Sequence, residues 1–490
     1  MFRSTLLYLG IFTLFVSIFS LLNILFCYYF DSSLNIKVYF GCLLVSSLLG
    51  AIFIFFNKKY LNEKINFFEK LSLVIIGFFY FPLLISIPYY LSIYDISFIN
   101  SYFEAISGFT STGFTIFKNT KDIDEPLLIW RSSSQWLGGL YFLYSLFLLT
   151  GSSKIKIKNI YPNYEGVNLS EIRNQYTKVL IIYFLLTVLV FVLLTYSGIR
   201  LFEGFNLSMT ITSAGGFIPT NFLSDIIRSE NQKLIFSFCM LIPFFNLYLI
   251  YNMFSGNRSL INIQEDLYLL ILLLFILIIV YIFFNNIYGF SSILFAVLSS
   301  LSNIGLGLNT QFSNLSILFL ILVIIGGSSF STSSGLKFIK LYTLSKFSLK
   351  EIYLIVKPLN VSSNTLFLSK YKIKDEEINN YFLAIVFFIF SLFILSGILS
   401  FEQINFKDSL TLSILTITNT VNSNNYNLNE FYFSGINTTS KISLMLFMII
   451  GRVELLSFLI LIKKFFCSFF LIYLRIMYNI LVLIISISHF

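Results

Sequence analysis

What most restricts the possible folds is a series of long apolar runs, including residues 5–29, 38–56, 71–93, 176–198, 267–287 and 379–400. Each reaches or approaches the roughly 20 residues that a helix needs to cross a hydrocarbon core. In lipid, backbone N–H and C=O groups have no water to bond, so runs of this kind are satisfied as helices packed into a bundle. Charged residues make up only 11% of the chain and hydrophobic ones 57%; a soluble domain carries roughly 25% charged residues. The expected fold class is therefore an all-α integral membrane protein.

One stretch between apolar runs departs from ordinary loop chemistry. Residues 101–139 read SYFEAISGFTSTGFTIFKNTKDIDEPLLIWRSSSQWLGG, rich in glycine and hydroxyls. Irregular backbone survives at membrane depth only where protein or a water-filled cavity surrounds it, so this stretch is predicted to enter as a short helix, stop partway and return. Ser107, Gly108, Thr110, Ser111, Thr112 and Gly113 supply hydroxyls, carbonyls and a glycine free to take positive φ, the materials of a cation filter.

The unit of span, half-inserted loop and returning span recurs. Setting Gly113, Gly216, Gly305 and Val421 in register aligns Asn100, Glu203, Ser292 and Asp408 thirteen residues earlier, and the hydroxyls of Thr110, Ser213, Ser302 and Thr418 three residues earlier. A period of about 100 residues predicts four copies of one supersecondary unit. The flanking spans fall at 71–93 and up to 150, 176–198 and 233–254, 267–287 and 315–343, and 379–400 and 441–463. With the opening pair this makes ten spans. The expected division is 1–57 (two N-terminal spans), 58–152, 153–257, 258–350 and 351–464 (pore repeats 1 to 4), and 465–490, an apolar tail. The tail reads as an extension or interfacial helix, with an extra span as the alternative.

Arg3, Lys58, Lys59, Lys64 and Lys70, then the loops 152–178 and 337–377, carry the lysine and arginine excess that marks the cytoplasmic side. The N-terminus is therefore expected on the cytoplasmic side of the cell (inner) membrane, with the first run retained rather than cleaved. The net charge of +9 reflects these loops and not nucleic-acid binding. Asp95, Glu104, Asp122, Asp124 and Glu125 predict an acidic outer mouth, with solvated loop residues or helix caps as the alternative. Trp130 and Trp136 are expected at the membrane interface. Four cysteines without metal spacing and a lone histidine, His489, leave no material for a metal site or His-based catalysis, and no enzyme is expected. A solute carrier would show inverted repeats, whereas all four units here start on one side.

On these residues the chain resembles the Trk/Ktr potassium-uptake family, in particular its TrkH-type membrane subunit. The pieces are FEAISGFTSTGFT with WRSSSQWLGG, then SAGGF, IGGSSFSTSSGLKFIKL, KPLNV followed by DEE, and GRVELLSFLILI. The resemblance implies a potassium pathway through the middle of four pseudo-symmetric repeats. Its filter would be built by Thr110, Ser111, Thr112 and Gly113, by Ala214, Gly215 and Gly216, by Asn303, Ile304 and Gly305, and by Asn419, Thr420 and Val421. Potassium, the transported ion and not a bound cofactor, would sit at Thr112, Gly113, Gly215, Gly216, Ile304, Gly305 and Thr420.

The resemblance also makes residues 326–335, with Gly326, Gly327, Ser331, Thr332 and Gly335, an intramembrane gate. The alternative is a small-residue packing face between helices. Arg452 would face the pore below the filter; the other reading is a buried bridge to a carboxylate on a neighbouring helix. A homodimer in membrane lipid and a separate cytoplasmic nucleotide-binding regulatory subunit are implied as well.

Four departures stand out. Val421 replaces the family's fourth filter glycine, with Asn419 or Asn422 better suited to a left-handed backbone. Phe330 and Ser334 replace glycines of the gate, and Pro243 and Phe244 replace a glycine pair. A distorted fourth wall admits a second reading, a weakly selective or sodium-permeable monovalent cation transporter.

Overall fold

The computed structural model describes residues 3–60, 65–150, 169–247, 264–284, 286–308, 312–356, 375–428 and 431–453. The KPLNV segment, Glu454, Cys467, His489 and the 465–490 tail lie outside the described residues, as does the far half of the last predicted span. Among the described residues the regular structure is entirely helical, and the chain is a multi-pass membrane protein.

Helices α1 (Arg3–Tyr29) and α2 (Ser33–Asn57) pair as an antiparallel hairpin. Repeat 1 follows as α3 (Phe67–Tyr90), α4 (Phe98–Phe109) and α5 (Glu125–Thr150). Repeat 2 comprises α6 (Leu169–Tyr196), α7 (Leu201–Thr212), α8 (Glu230–Cys239) and a single turn, α9 (Leu241–Phe244). Repeat 3 has α10 (Gln264–Phe284), α11 (Phe290–Leu301), α12 (Ser316–Ile325) and α13 (Phe338–Val356); repeat 4 has α14 (Asp375–Phe401), α15 (Phe406–Ile417) and α16 (Thr438–Val453).

Among the described residues six helices are long and apolar enough to cross a membrane: the opening pair and the first helix of every repeat. These first helices form the outside of the bundle. In α6, α10 and α14 only 22–33% of the apolar window is buried, whereas α3 reaches 72% because α1 and α2 pack over it. Apolar side chains on the exposed faces match the lipid that surrounds them.

The returning helices are different, and two of the predicted spans need correction. Span 233–254 breaks at Met240, where α8 gives way to the one-turn α9 containing Pro243; proline removes a helical hydrogen bond and clashes with the preceding turn. Span 315–343 is not continuous either, because α12 stops at Gly326, whose φ is +66°, and helix resumes only at Phe338.

Trp130 and Trp136 are core residues instead of interface anchors. Their indole N–H groups donate to the Ile85 carbonyl at 3.0 Å and to Thr187 Oγ1 at 2.9 Å, which satisfies a polar edge inside the bundle. The three described cysteines, Cys27, Cys42 and Cys239, are buried free thiols.

Candidate functional site

The short helices α4, α7, α11 and α15 each contain 12 residues. At 1.5 Å per residue that is about 18 Å, roughly half of a hydrocarbon core. Each ends four residues before its register residue, at Phe109, Thr212, Leu301 and Ile417. Two residues before the register position every repeat turns left-handed, with φ of +60° at Ser111, +55° at Ala214, +60° at Asn303 and +48° at Asn419. A left-handed residue costs energy outside glycine, so four of them at one offset mark a common turn that stops the helix and sends the chain back.

The helices close into a ring. Each returning helix packs on the short helix of the next repeat: α5 on α7, α8 on α11, α12 on α15, and α16 back on α4. Repeats 1 and 3 therefore face each other, as do 2 and 4. At one seam Glu230, opening α8, accepts from Ser291 at the start of α11 and from Lys233 at 2.7 Å. These bonds, Lys233 foremost, hold its carboxyl below the usual range.

Two kinds of hydrogen bond set the loop segments. A hydroxyl six residues before the register position reaches forward to the carbonyl just after it: Ser107 to Phe114 O at 2.6 Å, Thr210 to Phe217 O at 3.0 Å, and Ser299 to Leu306 O at 2.7 Å. Repeat 4 has Leu415 there, and so lacks this tie as well as the glycine. Side-chain amides instead brace its segment against its neighbours. Asn303 Nδ2 donates to Val323 O at 2.8 Å and to Thr420 Oγ1 at 3.3 Å; Asn419 Nδ2 donates to Met448 O at 2.8 Å and to Thr112 Oγ1 at 3.0 Å. Each asparagine thus reaches the hydroxyl one residue before the next repeat's register position. Between repeats 1 and 2 that position is Gly215, and Gln135 fills the space: a Cβ on Gly215 would lie 2.4 Å from Gln135 Oε1, which accepts from Phe217 N at 3.3 Å.

The structure brings the four predicted loop segments together. Gly113 approaches Gly216 so closely that a Cβ on the former would lie 2.9 Å from Cα of the latter. Across the ring, a Cβ on Gly216 would stand 2.3 Å from Val421 Cβ. Gly305 lies against repeat 4, a Cβ on it meeting Thr420 Cγ2 at 2.4 Å. At the mouth, all four repeats line a cavity of about 300 Å³.

The cavity at the mouth has no acidic lining. That cavity is lined by Lys118 and Arg131 and by no carboxylate among the described residues. Glu104 is instead fully buried and paired with Arg131, Nε to Oε1 at 2.9 Å. Its other oxygen accepts from Ile116 N at 2.8 Å, while Arg131 Nη2 donates to Thr115 Oγ1 at 2.9 Å. Asp124 accepts from Asn35 and Tyr94, and Asp122 from Asn119. A lone buried carboxylate would be prohibitively costly, so Glu104 is held by its partners, while Asp122 and Asp124 brace their own loops.

Residues 326–337 form a folded-back loop beneath the register residues. Gly326 and Gly335 are left-handed, and Leu336 N donates to Ile324 O at 3.0 Å, closing its base. The α9 turn holds it: Ser328 N donates to Phe244 O at 3.0 Å and Ser333 N to Pro243 O at 3.1 Å. The main-chain carbonyls of Pro243 and Phe244 thus dock the loop. Thr332 Oγ1 donates to Thr212 O, the end of α7, at 2.9 Å. Lys337 belongs to this loop and not to a basic cytoplasmic face; it is buried, and its ammonium donates to Ser331 O, Ser331 Oγ and Ser333 O at 2.6–3.2 Å.

Arg452 joins loop and ring. Its guanidinium bonds Ser334, reaches Ser111 Oγ at 3.4 Å and Ser213 O at 3.5 Å, and stacks over Phe142 with Cζ 4.0 Å from the ring centre. The bridge to a carboxylate is not found among the described residues. Sequence reasoning missed Glu104–Arg131, Gln135 and the hydroxyl tie; only the last left a signal, in the column Ser107, Thr210, Ser299 and Leu415.

Comparison with known proteins bears on this architecture. Residues 47–255 match the model of the TrkH family of cation transport proteins. The fold matches the crystal structure of the potassium transporter TrkH from Vibrio parahaemolyticus with a TM-score of 0.81 over 94% of this chain and 98% of that one, at 20% identity. Over residues 47–255 the chain is similar to TrkH cation transport proteins, and it shares their fold. An uncharacterized cation transporter of Methanocaldococcus jannaschii is 26% identical over 355 residues, 68% of this chain and 72% of the relative. The Trk system potassium uptake protein TrkH of Escherichia coli K12 is 24% identical over 53% of this chain, and the match spans 57% of that protein. The matched family model and the matched solved structure are both of cation transport proteins.

Proposed function

We propose that this chain takes up potassium across the cell membrane, through a filter built from its four loop segments and controlled by the 326–335 loop. The observation that carries the reading is the ring of four half-inserted helices, each ended by a left-handed residue at the same offset, around segments rich in carbonyls and hydroxyls. Carbonyl oxygens arrayed this way replace the hydration shell of a cation. Thr112, Gly113, Gly215, Gly216, Ile304, Gly305 and Thr420 are the proposed ion-lining positions, with Thr110, Ser111, Ala214, Asn303, Asn419 and Val421 completing the walls.

Gly326, Gly327, Ser331, Thr332 and Gly335 form the proposed gate, and Arg452 fits the role of a positive barrier between gate and filter. The basic loops support an N-terminus on the cytoplasmic side, where the membrane potential drives cations inward by about 2.3 kcal/mol per charge per 100 mV. The TrkH-type assembly adds a homodimer and a separate nucleotide-binding subunit to the proposal. The repeats are proposed to run over 58–152, 153–257, 258–350 and 351–464.

A second reading, weak selectivity among monovalent cations, is favoured by Val421 and Leu415, which make repeat 4 unlike the others. Proteoliposomes holding the purified chain test both. Uptake of rubidium and potassium well above sodium supports the first; equal rates support the second. No monovalent flux above protein-free liposomes overturns the transport reading.

A further inference from the structure

The four register residues fall into two opposed pairs. In repeats 1 and 3, Gly113 and Gly305 have φ of +82° and +74°, where any side chain is strained. Neither Gly216 nor Val421 of repeats 2 and 4 is left-handed. Backbone strain therefore does not demand glycine in the second pair, and only space does. The three nearest atoms to a Cβ on Gly216 are all from the Val421 side chain: Cβ at 2.3 Å, Cγ1 at 2.7 Å and Cγ2 at 2.9 Å. Since repeats 2 and 4 face each other across the ring, the valine occupies room that the opposite glycine vacates.

We infer that Gly216 and Val421 act as one steric unit spanning the axis, which admits a single side chain, and that Val421 is the residue limiting cation passage and discrimination there. The inference rests on the proposed cation pathway and adds to it a specificity-determining position. The fourth segment can carry valine because its backbone is ordinary and the residue opposite is glycine; a side chain at Gly113 or Gly305 would strain the chain. Asn303 and Asn419, bonded to Thr420 and Thr112, hold the valine-bearing segment in place without its own hydroxyl tie.

The experiment is a cycle of Val421→Gly, Gly216→Ala and both together, with Gly113→Ala and Gly113→Ala/Val421→Gly as controls. It is read by rubidium and sodium flux in proteoliposomes and, separately, by the melting temperature of the purified proteins. Gly216→Ala alone should lower the melting temperature and cut rubidium flux roughly tenfold, the effect of about 1.4 kcal/mol of overpacking. Adding Val421→Gly should restore both to within about twofold of wild type, while Gly113→Ala should stay impaired in either background. Val421→Gly alone should raise rubidium flux and the rubidium-to-sodium ratio.

A Gly216→Ala protein indistinguishable from wild type overturns the inference. So does a folded double variant that melts no higher than Gly216→Ala, or a Val421→Gly protein with unchanged rate and ratio. The melting temperatures report the steric exchange whether or not ions flow. A wild type that carries no cation, with the melting cycle intact, sinks the pathway reading and the assignment of Val421 to passage but leaves the packing pair standing.

Discussion

The buried pair Glu104–Arg131 offers the sharpest test of how the first loop is held. The two side chains are 0% and 2% exposed, and between them they engage Thr115 and Ile116, just after Gly113 and Phe114. The Arg131 guanidinium also lies over the Phe217 ring at 4.2 Å, tying repeat 1 to repeat 2. In Arg131→Met the methionine keeps much of the apolar volume but leaves the carboxylate of Glu104 buried and uncompensated. Breaking one side of such a pair costs about 3–5 kcal/mol, whereas replacing both charges is often close to neutral. In the double variant Glu104→Gln/Arg131→Met the introduced amide oxygen still accepts from Ile116 N, so this protein should be more stable than Arg131→Met by about 2 kcal/mol. Denaturant unfolding of wild type, both single variants and the double variant in one detergent measures this coupling. An Arg131→Met cost under about 1 kcal/mol, or costs that add within about 0.5 kcal/mol, would refute the view that a paired charge holds this loop.

Two further predictions probe the ring itself. A Cβ on Gly138 would lie 1.8 Å from Phe109 O, and one on Gly451 2.1 Å from Ile417 O, the last residues of two short helices; Gly138→Ala and Gly451→Ala should each lose folded protein on size-exclusion chromatography, while Gly397→Ala, with nothing within 4 Å, should behave as wild type. Removing the hydroxyl tie by Thr210→Val strands the buried Phe217 carbonyl and should cost about 1–3 kcal/mol of unfolding free energy, whereas Ser299→Ala should cost less because Asn425 Nδ2 still donates to Leu306 O at 3.2 Å; a Thr210→Val cost within measurement error would show that the tie does not hold its segment.

Much of the architecture was legible because membrane insertion is governed by composition and by period. Apolar runs of the right length announce the outer helices whatever packs against them, which is why α3, α6, α10 and α14 fall where hydropathy puts them. The half-inserted loops were legible for a related reason: a glycine-and-hydroxyl stretch between apolar runs has few physical solutions in lipid. Aligning Gly113, Gly216, Gly305 and Val421 worked because each copy must end its helix with the same turn. Where the sequence misled, one-dimensional reasoning had no way to see partners. Glu104 and Arg131 are 27 positions apart and look like mouth and anchor until their distance is known. Lys337 looks like one more basic loop residue, although serine carbonyls of its own loop hold it in the interior.

Sequence alone thus determined that this chain is a helical membrane protein and pointed to a recurring unit within it, since hydrophobicity and periodicity are local properties that survive without knowledge of neighbours. Tertiary structure alone decided which units face each other, because opposition across a ring is set by how returning helices close on the next repeat. That closure explains why a valine is tolerated in the fourth segment: the side chain fits only because the residue opposite it, 205 positions away along the chain, has none.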